Sequence, residues 1–129
     1  MFVLYKPNPD MKKESLNISP SGASGRLISF TGKSGGFSVC TVPSLNVSGY
    51  GKSDKESFDD MIYNLKVFLH DLFQLSHTLQ DAQLSKLGWT KENFFNKRYA
   101  ASFVDDSGVL QNFDHPDEVE KKVIDPLTI

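Results

Sequence analysis

An α+β fold is predicted, with an antiparallel sheet of three or more strands covered by one long helix. Two features predict it: short β-prone runs joined by a glycine-rich turn, and then a single apolar stripe at helical spacing. The runs are RLISF and FSVCTV, linked through TGKSGG, and the stripe lies in the helix that follows. A connection that short permits a hairpin and rules out a parallel crossover.

At 129 residues with 39% apolar content and ten phenylalanines, the chain has material for one hydrophobic core and little for a second. Fourteen basic against sixteen acidic residues leave a formal charge of -2, so no global field draws it to phosphate backbones. The one cysteine, Cys40, lies in an apolar run and has no partner for an internal disulfide, which fits a reducing compartment. No stretch approaches the roughly 20 apolar residues of a membrane span. The apolar start MFVLY is too short for a secretion signal, so cytoplasmic residence is expected.

The elements follow in order. Residues 1–25 read as a short strand at 2–5 and then a Ser/Gly/Pro-rich arm, because Pro7 and Pro9 end the strand and SLNISPSGASG is turn-like. Residues 26–113 read as a single α+β domain. Its hairpin spans 26–32 and 36–42, and a third strand carries Leu45, Val47 and Tyr50 on one side, loosened by Gly49 and Gly51. The long helix runs from about Asp54 to Phe73, with Phe58, Ile62, Leu65, Leu69 and Leu72 four and three apart and Met61 and Phe68 widening the stripe. Ser53 and Glu56 form a Ser-x-x-Glu capping box at its start.

A second helix is expected from a cap at Ser76 to about Leu87, using Leu79 and Leu87 as its apolar positions, with a further helical turn from Thr90. YAASFV and GVLQNF then suggest a second hairpin around Asp105 to Gly108. Residues 114–129 read as a polar C-terminal tail.

The stretch FSVCTVPSLNVSGYGKSDKESFDDMIYNLKVFL, preceded by LISFTGKSGG, resembles the core of the HicB-like antitoxin family. Val42, Pro43 and Leu45 match that family's turn, while Gly51, Ser53, Glu56 and Phe58 match its helix entry; the similarity covers about residues 26–73. Asn46 and Val47 stand where the family has Gly-Cys. The resemblance implies a partial RNase H-like fold acting as a scaffold that docks on a small RNA-cleaving toxin and blocks it. Members of the family often add a DNA-binding segment, which residues 74–129 do not clearly show.

The chemistry-bearing residues are otherwise sparse, and a non-catalytic protein without metal or cofactor is expected. Asp59 and Asp60 are adjacent on a helix and so face different ways, while Asp105 and Asp106 occupy a turn that favours Asp for backbone reasons. His70 and His77 share a face only in a helix unbroken through Ser76, against its capping signal. TGKSGG lacks the helix that must follow a phosphate loop.

Two site readings remain open. Phe103, Val109, Leu110 and Phe113 of the second hairpin supply the apolar interface of a homodimer. Alternatively, residues 79–98 form a helix-turn-helix of a transcriptional regulator, with Lys91, Asn93, Lys97 and Arg98 toward DNA; the competing view makes Trp89, Phe94 and Phe95 core.

Overall fold

The organising element is a 13-residue strand, Gly22–Ser34, which we call β3; a computed structural model describes residues 4–5, 14–19, 22–93, 98–101 and 104–128. Seven further strands surround it among the described residues: β1 (Leu4–Tyr5), β2 (Ser15–Ser19), β4 (Phe37–Val42), β5 (Val47–Gly51), β6 (Trp89–Asn93), β7 (Arg98–Ala101) and β8 (Glu120–Thr128). Along one edge β3 pairs with β8 from Ser24 to Thr31. Its other edge forks, pairing with β2 through Arg26 and with β4 from Phe30 onward. One branch continues β2-β7-β6 and the other β4-β5, while β1 closes the far side of β8. The sheet is antiparallel at every junction.

The expected first hairpin is present as β3 and β4. Its turn is only Gly35-Gly36, both at positive φ, so Thr31–Ser34 belongs to the strand rather than to the loop.

Helix α1 (Asp54–Phe73) follows β5, and the Ser53 half of its expected capping box is formed, Glu56 N–H donating to Ser53 Oγ at 3.1 Å, while Glu56 Oε2 reaches one residue further back and accepts from Lys52 N–H at 2.8 Å. Its buried face is Ser57, Met61, Ile62, Leu65, Leu69 and Leu72, whereas Phe58 and Phe68 are only partly buried. The stripe is thus rotated from the expected one, and the cause lies in β5. A Cβ at Gly49 would stand 2.1 Å from Met61 N, and one at Gly51 2.7 Å from Ser57 N. These glycines let the helix backbone rest directly on the strand; they do not loosen it. Tyr50 points to the opposite face and is 64% exposed, and Leu45 belongs to a 3-10 turn, Pro43–Leu45, so the expected third-strand face is corrected on both counts.

Helix α2 (His77–Lys86) is capped by Ser76, so His70 and His77 stand on separate helices. Its buried residues are Gln80 and Leu84, with the expected Leu79 half exposed. Gln80 Nε2 donates to Leu72 O at 3.1 Å and Leu75 O at 3.3 Å, satisfying carbonyls left open where α1 ends.

Three boundaries differ from those expected. The arm at 6–25 contains β2, in which Leu16 and Ile18 alternate with Asn17 and face the core. The second hairpin does not form: β7 pairs with β6 and β2, and Asp106–Leu110 is a short helix, α3, after which a turn brings Phe113 into the same apolar cluster as Val109. The polar tail is instead β8, an inner strand with Val123 and Ile124 fully buried. Its charges hid it. Lys121 lies against the Phe30 ring, its Nζ 5.7 Å from the centroid, and reaches Asp106, so its stem covers apolar surface while its charge stays outside.

The sheet is consequently covered on both sides. Under α1 lies the main core, including Leu16, Leu27, Cys40, Val42, Leu65, Trp89, Tyr99 and Ile124. On the opposite face Ile28, Phe30, Phe113 and Val123 form a smaller one, with Val109, Leu110 and Val119 against it.

Candidate partner-binding face

The α3 segment covers only part of that second face, leaving the β4-β5 end open. The alternation of β4 sends Ser38, Cys40 and Val42 toward α1, and Phe37, Val39 and Thr41 away from it. On β5 the same alternation turns Ser48 and Tyr50 outward. The result is an open groove of about 280 Å³ on the outward residues of β4 and β5, lined by Val39, Thr41, Ser48 and Tyr50 together with Ser34, Asn46, Asn112 and Phe113.

The groove carries hydroxyls, carboxamides and one phenol, without a charged side chain in its lining. Ser48 Oγ donates to Thr41 Oγ1 at 2.9 Å, and Thr41 Oγ1 donates to Val47 O at 3.2 Å, so these hydroxyls form a fixed floor. Asn46 sits in the left-handed region, φ 54°, with its N–H on Pro43 O. That conformation, tolerated by Asn, turns the chain from the 3-10 turn into β5. Two exposed aromatic side chains lie to the β3-β4 turn side of that floor: Tyr50, opposite Val39, is 64% exposed and Phe37 53%.

A buried polar knot ties the fork of β3 to the turn between β4 and β5. Where β3 passes from β2 to β4, the N–H of Ile28 lies between the two partners, and Glu14 Oε2 accepts it at 2.9 Å. The same oxygen accepts Ser44 Oγ–H at 2.7 Å, and Trp89 Nε1–H donates to Ser44 O at 2.7 Å. Four separate segments are tied through one carboxylate and one serine. Burial raises the pKa of Glu14, outweighing the Ile28 and Ser44 hydrogen bonds and the nearby Lys121. A raised folded pKa contributes stability in full below the unfolded value, and that contribution is lost as pH rises through the folded value. Wild-type melting temperature should therefore carry a downward slope above the ordinary carboxylate range that Glu14→Gln removes. Thermal melts from about pH 4 to about pH 8 check it, and parallel slopes in both proteins would refute it.

Several other titratable groups hold local contacts. Asp60 Oδ2 accepts Tyr50 N–H at 3.0 Å, Asp59 pairs with Lys55, and Asp106 pairs with Lys121. Tyr99 OH donates to Asp81, and burial, with that bond, raises its pKa. Burial likewise pushes the Cys40 thiol up. Among the described residues no three His, Cys, Asp or Glu side chains are grouped to hold a metal ion, and no helix is long and apolar enough to cross a membrane.

Both expected sites are changed by the fold. Phe113 is buried and Val109 and Leu110 pack beside it within one chain, so they are not the free apolar interface of a hairpin. Phe103 lies outside the described residues. Among the described residues no helix-turn-helix forms: α2 is followed by β6, which contains Trp89 and Lys91, in place of the start of the expected recognition helix. Trp89 is 3% exposed, in the core. Lys91 Nζ lies 3.2 Å from Asp81 on a strand beside β7, where Arg98 is exposed. Lys97, Phe94, Phe95 and the side chain of Asn93 lie outside the described residues.

Sequence reasoning missed the groove residues themselves. In FSVCTV both alternating sets carry apolar residues, so periodicity does not say whether Phe37 or Cys40 faces the core. The signal that does say so is the Gly49 and Gly51 spacing, which marks the helix side of β5 and thereby the other side as outer. No family model matches this chain, and neither does any curated protein or solved structure compared with it.

Proposed function

We propose that this chain is a non-catalytic protein-binding module that docks a small protein on the outer face of β4 and β5. The carrying observation is the pair of exposed aromatics on one face, Tyr50 lining an uncharged groove and Phe37 beyond its Val39 end, on a strand pair anchored from behind by α1. Aromatic side chains on a rigid support give large contact area at small entropic cost, and such residues dominate binding energy at protein interfaces. An uncharged lining suits the centre of such an interface, where charged groups are depleted.

The HicB-like resemblance of residues 26–73 names the partner class: a small RNA-cleaving protein of the HicA type, neutralised by occlusion in the cytoplasm. The face belongs to that segment, apart from Asn112 and Phe113. Phe37→Ser and Tyr50→Ser should each weaken such a partner by at least about tenfold, or about 1.4 kcal/mol, in titration calorimetry. Their melting temperatures should stay near wild type. Tyr63→Ser, equally exposed at 66% but on the outer side of α1, should bind as wild type does. Equal affinity in all four proteins would place the docking surface elsewhere.

A further inference from the structure

β5 pairs with β4 alone, so its outer edge has no strand beside it among the described residues. An open edge offers backbone groups to any passing strand. Here two of them are already taken, by side chains of α1: Tyr50 N–H donates to Asp60 Oδ2 at 3.0 Å, and Ser48 O accepts Asn64 Nδ2–H at 2.8 Å. Side chains as short as Asp and Asn reach the strand because Gly49 lets α1 lie on it. Asp60 and Asn64 are one helical turn apart, which matches the spacing of Tyr50 and Ser48 along β5.

We infer that the β5 edge is a strand-pairing surface for a second copy of this chain, held closed by Asp60 and Asn64. The complementarity is two-fold. With an axis through Gly49, antiparallel pairing sets Ser48 opposite Tyr50 of the second copy, and the outward N–H and C=O groups of each pair exchange two hydrogen bonds. One bond of each pair, Tyr50 N–H to Ser48 C=O, uses the two groups that Asp60 and Asn64 occupy. Such pairing also continues the sheet and brings the two α1 helices side by side. Val67, three residues beyond Asn64 on that flank, is 45% exposed and supplies apolar surface to the junction. In the single chain the Asp60 charge beside the edge opposes the approach of its own symmetry mate.

Pairing with a second copy is therefore expected only once Asp60 and Asn64 are withdrawn from this edge, and it does not run through a C-terminal hairpin. The test needs no docking partner, so it stands or falls separately from the proposed function. Wild type and Asp60→Ala/Asn64→Ala are compared by light scattering at high micromolar concentration, with amide hydrogen exchange at Ser48 and circular dichroism in parallel. Wild type should keep the mass of one 14.4 kDa chain, while the folded double variant doubles in mass and slows exchange at Ser48. Should the double variant not fold, Asn64→Ala alone, which frees Ser48 O only, should show weaker but concentration-dependent dimerisation. A folded variant that keeps the single-chain mass overturns the inference, and so does a wild type whose Ser48 amide is already protected in a dimer.

Discussion

Gly49→Ala should destabilise the protein by about 3 kcal/mol or more, at the upper end of what overpacking usually costs. The added Cβ meets Met61 N at 2.1 Å and Ser57 O at 2.5 Å, and both are helix backbone atoms that no rotamer change can move. The helix must lift, which opens the core around Met61 and Leu65 and withdraws Asp60 and Asn64 from β5. For a chain of this size the melting temperature should fall by on the order of 10 °C. Ser48→Ala, one residue away and pointing outward, should cost well under about 1 kcal/mol. Near-equal effects of the two substitutions in thermal or urea melts would mean that α1 does not rest on β5 at this point.

Trp89→Ala has the next largest expected effect, about 3–5 kcal/mol, because a nearly fully buried indole is deleted from the main core. The loss is not only volume. Trp89 Nε1–H is the donor to Ser44 O, and Ser44 in turn donates to Glu14, which holds Ile28 N–H in the fork of β3. Trp89→Phe keeps most of the ring volume and orphans that carbonyl, so it should still cost about 1–3 kcal/mol. Urea unfolding of both variants separates the two contributions, and a neutral Trp89→Phe would show that the knot adds nothing to stability.

The segment from Phe37 to Phe73 was legible because its signals are local. Gly35-Gly36, the Ser53 and Glu56 box and the three-four apolar spacing each act within a few residues. What sequence reasoning lost was non-local. β8 finds its main partner, β3, roughly 90 or more residues earlier, and its Lys121 and Lys122 disguise a strand that buries Val123 and Ile124. β2 is hidden by its serines, although Leu16 and Ile18 alternate correctly, and α3 was read as a strand because Val109 and Leu110 are β-prone when taken alone. For the binding face, the sequence grouped Tyr50 with Leu45 and Val47 and gave Phe37 no side; the contacts of Gly49 and Gly51 with α1 reveal that both aromatics point outward.

The most direct test of the central claim is amide chemical-shift mapping of the labelled chain as a purified HicA-like RNA-cleaving protein is titrated in. The account predicts perturbations grouped at Phe37, Val39, Thr41, Ser48 and Tyr50, with Tyr63 and Lys66 on the outer side of α1 unmoved. Perturbations centred on α1, or none at saturating partner, would contradict it.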